Sequence, residues 1–129
     1  MSKMNVVLVD DDEVINLVHR EVIKRIVPDS NIEVFRSGPQ LIQYLQNGNQ
    51  GPIDFLFLDI RMPEMDGFEV LDKIKSLSNP ALERSKIYVL SSTLDERDLS
   101  KAKNDAAVAD FIGKPLSFQT IEQLLGKAS

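Results

Sequence analysis

Short apolar runs alternate along this chain with amphipathic stretches, and the alternation recurs five times. Asn5-Val6-Val7-Leu8-Val9 reads as a first strand. Val14, Ile15, Val18, Val22, Ile23 and Ile26 then recur at three- and four-residue steps, which predicts a helix with that apolar stripe, capped by Asp12 and stopped before Pro28. Ile32-Glu33-Val34-Phe35 is a short second strand, and Ser37 reads as the N-cap of a helix carrying Leu41, Ile42 and Leu45 that ends near Asn47-Gly48. The loop Asn49-Gln50-Gly51-Pro52 leads into Phe55-Leu56-Phe57-Leu58, whose unbroken apolarity suits the centre of a parallel sheet covered on both faces. Gly67 opens a third helix with Val70, Leu71, Ile74 and Leu77, which Asn79-Pro80 breaks before a connection through Leu82-Glu83-Arg84. Ile87-Tyr88-Val89-Leu90 is the fourth strand. The helix after it, around Glu96 to Asn104, has the weakest pattern because its apolar positions are sparse (Leu99, Ala102, Ala106). Asp110-Phe111-Ile112 is the fifth strand, and Phe118, Ile121, Leu124 and Leu125 mark a last helix.

Alternating βα units with right-handed crossovers make an α/β fold, a doubly wound five-stranded parallel sheet, and ligands on such sheets bind outside the carboxyl ends of the strands. The conspicuous polar residues fall there: Asp10 and Asp11 after strand one, Asp59 after strand three, Ser91 and Ser92 after strand four, Lys114 after strand five. Two buried strands that both end in carboxylates suggest one shared acidic pocket. Like charges at close range repel and burial disfavours ionisation, so a cation is expected there. Oxygen-only ligands point to Mg²⁺ rather than zinc.

The 129 residues fit one domain spanning 1–129 with no output domain attached. No apolar run approaches the roughly 20 residues of a membrane helix, and Met1-Ser2-Lys3-Met4 moves straight into strand one without a signal-peptide pattern, so the expectation is a cytoplasmic protein with no membrane insertion. The absence of cysteine removes disulfides and thiolate chemistry. A net charge of −5 without a Lys/Arg stripe argues against direct nucleic-acid binding and favours a protein partner.

Val9-Asp10-Asp11, Leu58-Asp59-Ile60-Arg61-Met62-Pro63, Asp66-Gly67, Leu90-Ser91-Ser92 and Lys114-Pro115, in this order and spacing, resemble a response-regulator receiver domain over almost the whole chain. The resemblance implies the flavodoxin-like strand order 2-1-3-4-5, which this family shares with flavodoxin and which makes strands one and three neighbours at the switch point. It implies that Asp59 accepts a phosphoryl group from the phosphohistidine of a sensor histidine kinase or a histidine phosphotransfer protein. Mg²⁺ would be held by Asp11, Asp59 and the main-chain carbonyl of Arg61, with Asp10 acting through water. Lys114 and the Ser91 hydroxyl would meet the phosphoryl group, and the backbone N–H groups of Arg61 and Ser92 would complete its cradle. Ser91 and the strand-five aromatic Phe111 would be the switch residues, altering a face made of helix four, strand five and helix five for a downstream protein target. A cis Lys114-Pro115 bond is part of the same expectation.

Plainer roles account for other residues. Asp12 is a helix cap, Met62, Pro63 and Met65 serve turn and packing, Asp66-Gly67 is a turn and helix start, and His19, inside the first helix, reads as an ordinary surface residue. The chain departs from the family where Ala107-Val108 replaces the usual Gly-Ala pair, and where Arg61 and Thr93 occupy the positions that line the approach of hydrolytic water. A haloacid-dehalogenase-type phosphatase would need a second aspartate at position 61, which is Arg61, and the carboxylates do not follow a calcium-loop spacing. A phosphorylation-independent receiver-like interaction module and a phosphorelay intermediate are the alternatives to an output-controlling receiver.

Overall fold

The computed structural model describes residues 3–48, 50–93 and 95–126; Met1, Ser2 and Asn49, invoked above for the chain start and a loop, lie outside the described residues. Strands β1 (Asn5–Val9), β2 (Asn31–Phe35), β3 (Phe55–Asp59), β4 (Lys86–Ser91) and β5 (Val108–Gly113) form one sheet in the order β2-β1-β3-β4-β5, every pair parallel. The helices are α1 (Glu13–Ile26), α2 (Gly38–Gln46), α3 (Gly67–Leu77), α4 (Glu96–Lys103) and α5 (Phe118–Ile121), the last continuing as a π-helical turn over Glu122–Gly126. The connection after α3 contains a 3₁₀ turn, Pro80–Leu82, capped by the Asn79 side chain.

Strand side chains alternate between two cores, as the two-residue period requires. Val7, Val9, Leu56, Leu58 and Val89 point to the face covered by α2 and α3, with Ala102 of α4. Val6, Leu8, Phe55, Phe57, Tyr88 and Leu90 point to the other face, against Ile23 of α1 and Ile121 of α5. All five residues of β3 are buried, as its unbroken apolarity predicted, while the edge strand β2 has no fully buried residue and exposes Asn31, Glu33 and Val34.

Helix starts follow the local sequence. Asp12 accepts from the N–H groups of Val14 and Ile15, Ser37 accepts from Gln40, and Asp66 and Glu69 form a reciprocal capping box at α3. In α4 only Ala102 is buried, in line with its sparse apolar pattern. Its outer links are polar: Arg61 to Asp98 at 2.5 Å and Lys101 over the Phe68 ring at 4.5 Å.

α1 packs Val22, Ile23 and Ile26 on the sheet as predicted but departs from the predicted stripe in its first turns. Its buried residues are Asn16, His19 and Ile23, whereas Val14, Leu17 and Val18 stand 66%, 58% and 40% exposed. The helix begins directly beyond the end of β1, so its first turns lie against backbone at the carboxyl edge of the sheet, where polar groups need partners and apolar side chains satisfy none. Asn16 and His19 supply those partners, and His19 is a buried residue rather than the surface residue expected.

Candidate functional site

Strand register gathers the polar residues. Val9 pairs with Leu58 and Asp59 with Leu90, which sets Asp10 level with Asp59 across β1 and β3; Ser91 pairs with Gly113, so Lys114 follows one residue beyond. The Lys114 N–H donates to the Ser91 carbonyl at 2.8 Å, fixing the start of the β5–α5 loop, and the Lys114–Pro115 peptide is cis. Beside Asp59 the chain turns through Ile60 to Pro63 and returns at Gly67, whose N–H donates to the Ile60 carbonyl at 2.8 Å. A Cβ on Gly67 would lie 2.8 Å from the Asp59 carbonyl oxygen and 2.9 Å from the Ile60 Cα, so only glycine lets α3 start this close to the end of β3.

One carboxylate oxygen from each of Asp10, Asp11 and Asp59 lies within 4.8 Å of the others. Asp10 and Asp59 are 2% and 1% exposed, and Asp11 faces solvent. The Lys114 ammonium bridges the buried pair, 2.8 Å from Asp10 Oδ2 and 3.3 Å from Asp59 Oδ1. Asp59 Oδ1 also accepts from the Arg61 N–H at 3.3 Å, while Asp59 Oδ2 is buried without a hydrogen-bond partner. An orphaned, buried carboxylate oxygen beside two further carboxylates is a donor set that fits a hard divalent cation.

Burial, reinforced by the charge of Asp10, raises the Asp59 carboxyl to about 6 against the opposing pull of Lys114 and the Arg61 N–H. Burial works against the Lys114 ammonium too, but its hydrogen bond to Asp10 and the two carboxylate charges outweigh it, and Lys114 is held above its usual value. Burial lowers His19 to about 4, with Asp10 opposing and Lys114 assisting. The pocket thus carries one cation against three acidic groups and lacks positive charge.

Among the residues singled out from sequence, Asp10, Asp11, Asp59, Lys114 and the Arg61 backbone converge within this pocket. Ser91 is fully buried at the end of β4, but its hydroxyl turns to Thr93, accepting from that residue's N–H at 3.1 Å. Ser92 is exposed immediately after β4, and the Arg61 guanidinium points away to Asp98. Phe111 is partly buried against the core on the α2–α3 face. Sequence reasoning missed Asn16, whose side-chain amide donates to the Asp10 carbonyl at 2.7 Å, and His19, whose Nε2 accepts from the Leu116 N–H at 2.9 Å. The local signal available was a helix whose polar residues fall three apart on one face.

Parallel strands that deliver these carboxylates and one lysine to the same edge define a doubly wound α/β domain with an acidic, lysine-bridged pocket at its switch point. The chain belongs to the response regulator receiver domain family, whose pattern it matches over residues 6–126. It is 29% identical over 126 residues to the chemotaxis protein CheY of Listeria monocytogenes, covering 98% of each chain. It is 32% identical over 124 residues to the hybrid signal transduction histidine kinase L of Dictyostelium discoideum, covering 94% of this chain and 7% of the kinase. The chain spans about half or less of the first curated relatives it matches. A solved two-component response regulator from Cytophaga hutchinsonii superposes with a TM-score of 0.84 at 30% identity, covering 98% of this chain and 97% of that one. Receiver domains are signalling phosphoacceptors of two-component systems, working with histidine kinases and downstream targets and binding Mg²⁺ in an acidic pocket. Among the described residues no helix is long and apolar enough to cross a membrane.

Proposed function

We propose that this receiver is phosphorylated on Asp59 by the phosphohistidine of a sensor histidine kinase or a histidine phosphotransfer protein. The observation that carries the reading is the state of Asp59: 1% exposed, level with Asp10, 3.3 Å from Lys114 and left with one unpartnered oxygen. An Asp59 carboxylate oxygen attacks phosphorus while the P–N bond breaks and the imidazole departs with its electron pair. Lys114 lies where an incoming phosphoryl oxygen would need a cation, and the Arg61 and Ser92 N–H groups lie at the ends of β3 and β4 that border the same space. Asp10, Asp11, Asp59 and the Arg61 carbonyl are the groups we assign to Mg²⁺, which when bound neutralises phosphoryl oxygens that a carboxylate could not otherwise approach.

Lys114 is engaged by Asp10 and Asp59 before any phosphoryl group arrives, so phosphorylation must redistribute that ion pair. A phosphoryl group adds about −1.5 to −2 charge. Ser91, now turned to Thr93, and Phe111, partly buried on β5, are the residues we assign to the response, reshaping the α4–β5–α5 face for a protein target or for onward phosphoryl transfer. The thin attachment of α4, with Ala102 its only buried residue, supports this face as the movable one. The exposed Val14, Leu17 and Val18 on α1 offer a protein partner apolar contact beside the pocket. We place the protein in the cytoplasm, acting without direct nucleic-acid contact.

Intact-protein mass spectrometry after incubation with acetyl phosphate tests the reading. A single Mg²⁺-dependent phosphoryl adduct in the wild type, absent from Asp59→Asn, is the expected result. The same adduct on both proteins, or on neither with a cognate kinase also present, sinks it.

A further inference from the structure

Two side chains of α1 bond to main-chain groups beside the acidic pocket, one at Asp10 and one just beyond Lys114, the two partners of one ion pair. Asn16 donates its side-chain amide to the main-chain carbonyl of Asp10 at 2.7 Å. Three residues on, His19 accepts at Nε2 from the main-chain N–H of Leu116 at 2.9 Å, across 97 residues of sequence. Residues three apart lie side by side on a helix, so the two contacts form one rigid clamp. Asp10 and Lys114, the latter two residues before Leu116, are the partners of the 2.8 Å ion pair that sets the lysine against Asp59. Both clamp residues are buried, His19 at 1% exposure. Apolar residues would fill such positions at less desolvation cost, and α1 has them, but Val14, Leu17 and Val18 face outward.

We infer that Asn16 and His19 are positioning residues, a clamp on α1 that holds the Asp10 end of β1 and the loop after Lys114 in fixed relation, so that the lysine meets the phosphoryl group at Asp59. Accepting at Nε2 requires a neutral ring with its proton on Nδ1, and the depressed basicity of His19 keeps it so at neutral pH. The hydrogen bond acts on the loop and not on substrate. Its loss leaves the Leu116 N–H without its partner in a dry site and frees the loop to move the ammonium. Displacement of a catalytic group by about 1 Å costs up to about a hundredfold in rate. The inference rests on the reading of Asp59 as phosphoacceptor and Lys114 as the cation that receives the phosphoryl group.

The test compares wild type with His19→Leu, His19→Gln and His19→Asn. The glutamine amide oxygen reaches the position of Nε2, and the asparagine amide stops at the position of Nδ1. Two readouts are taken: the rate of Asp59 phosphorylation by acetyl phosphate at saturating Mg²⁺, and the NMR resonances of the Leu116 amide and the Lys114 ammonium, which need no phosphorylation. The expected result is a rate lower by about tenfold or more in His19→Leu and His19→Asn, with His19→Gln restored to within about threefold of wild type, and both resonances displaced only in the slow variants. Mg²⁺ affinity is expected to stay within a few-fold throughout, because the carboxylates keep their own strands. Should His19→Leu fail to fold, the Gln and Asn pair decides alone. Equal rates and equal spectra for those two would overturn the clamp, as would a His19→Leu rate equal to wild type. A wild type that takes no phosphoryl group counts against the reading of Asp59 instead, and the NMR comparison still decides the positioning role.

Discussion

Asp59→Asn is expected to make the metal-free protein more stable. In the folded state burial and the neighbouring Asp10 raise the Asp59 carboxyl from 3.8 to about 6, and roughly two pH units of resisted ionisation correspond to ~3 kcal/mol at neutral pH. Asparagine keeps the shape and removes the charge, but its amide must also lose hydration in the same pocket, so the net gain is about 1–3 kcal/mol. Each kcal/mol is worth about 3–5 °C in Tm for a domain of this size. The sign with pH follows from the direction of the shift. A carboxyl held above its unfolded value costs stability in full above about pH 6, and the cost disappears as pH falls toward the ordinary value of 3.8. The advantage of Asp59→Asn should therefore be largest at pH 7.5 and fade by pH 4.5. Urea unfolding followed by circular dichroism in EDTA measures it. Mg²⁺ added at about a hundredfold excess over its Kd should stabilise the wild type by about 2.7 kcal/mol and shrink or reverse the difference. A variant no more stable than wild type in EDTA at pH 7.5 would refute the argument that Asp59 is an under-compensated buried charge.

Three further outcomes follow from the same geometry. His19 works in the opposite sense to Asp59: lowered to about 4 from 6.5 by burial, with Asp10 opposing and Lys114 assisting, it contributes stability that is present above about pH 6.5 and lost as pH falls toward 4. Asp59→Asn should consequently lose up to ~3 kcal/mol more between pH 7 and pH 4 than the double variant Asp59→Asn/His19→Gln, while the wild type, where the two effects oppose, gives a flatter curve; parallel urea titrations compare them. Arg61→Asn changes the residue that the receiver resemblance puts on the approach of hydrolytic water and removes a half-exposed ion pair with Asp98, so it should shift stability by no more than about 1 kcal/mol but speed phosphoryl loss about threefold to tenfold, and an unchanged decay by mass spectrometry would exclude Arg61 from setting the lifetime. Gly67→Ala forces the α3 start away from the Asp59 carbonyl, 2.8 Å from the added Cβ, and is expected to cost about 1–3 kcal/mol in urea unfolding together with slower phosphorylation.

The sheet was legible because a strand buried on both faces needs an uninterrupted apolar run, and Phe55-Leu56-Phe57-Leu58 has one. Ends were read short: β4 extends to Lys86 and Ser91, where backbone pairing continues past the apolar side chains, and β5 runs from Val108 to Gly113. The strand order came from family resemblance, since periodicity does not specify which strands pair. The acidic pocket was legible because strand ends and carboxylates coincided, and the register then brought Asp10 level with Asp59. What stayed hidden was the first half of α1. Hydrophobic spacing marks the inward face only in the second half, where Val22, Ile23 and Ile26 pack on the sheet, whereas the inward residues of the first turns are defined by contacts to Asp10 and Leu116, the second 97 residues away, which no local window contains. The 3₁₀ turn at Pro80–Leu82 was hidden for a simpler reason, being too short to show a period.

The two faces of α1 separate two kinds of selection within fourteen residues. Asn16, His19 and Ile23 carry the fold and the lysine loop, so changes there are penalised whatever the protein binds. Val14, Leu17 and Val18 carry little of the folding free energy, and exposed substitutions of that kind usually stay within about 0.5 kcal/mol. The outer face is therefore open to drift: a duplicated copy of this protein can change its company by rewriting those three positions while its stability and its chemistry pass unaltered to the descendant.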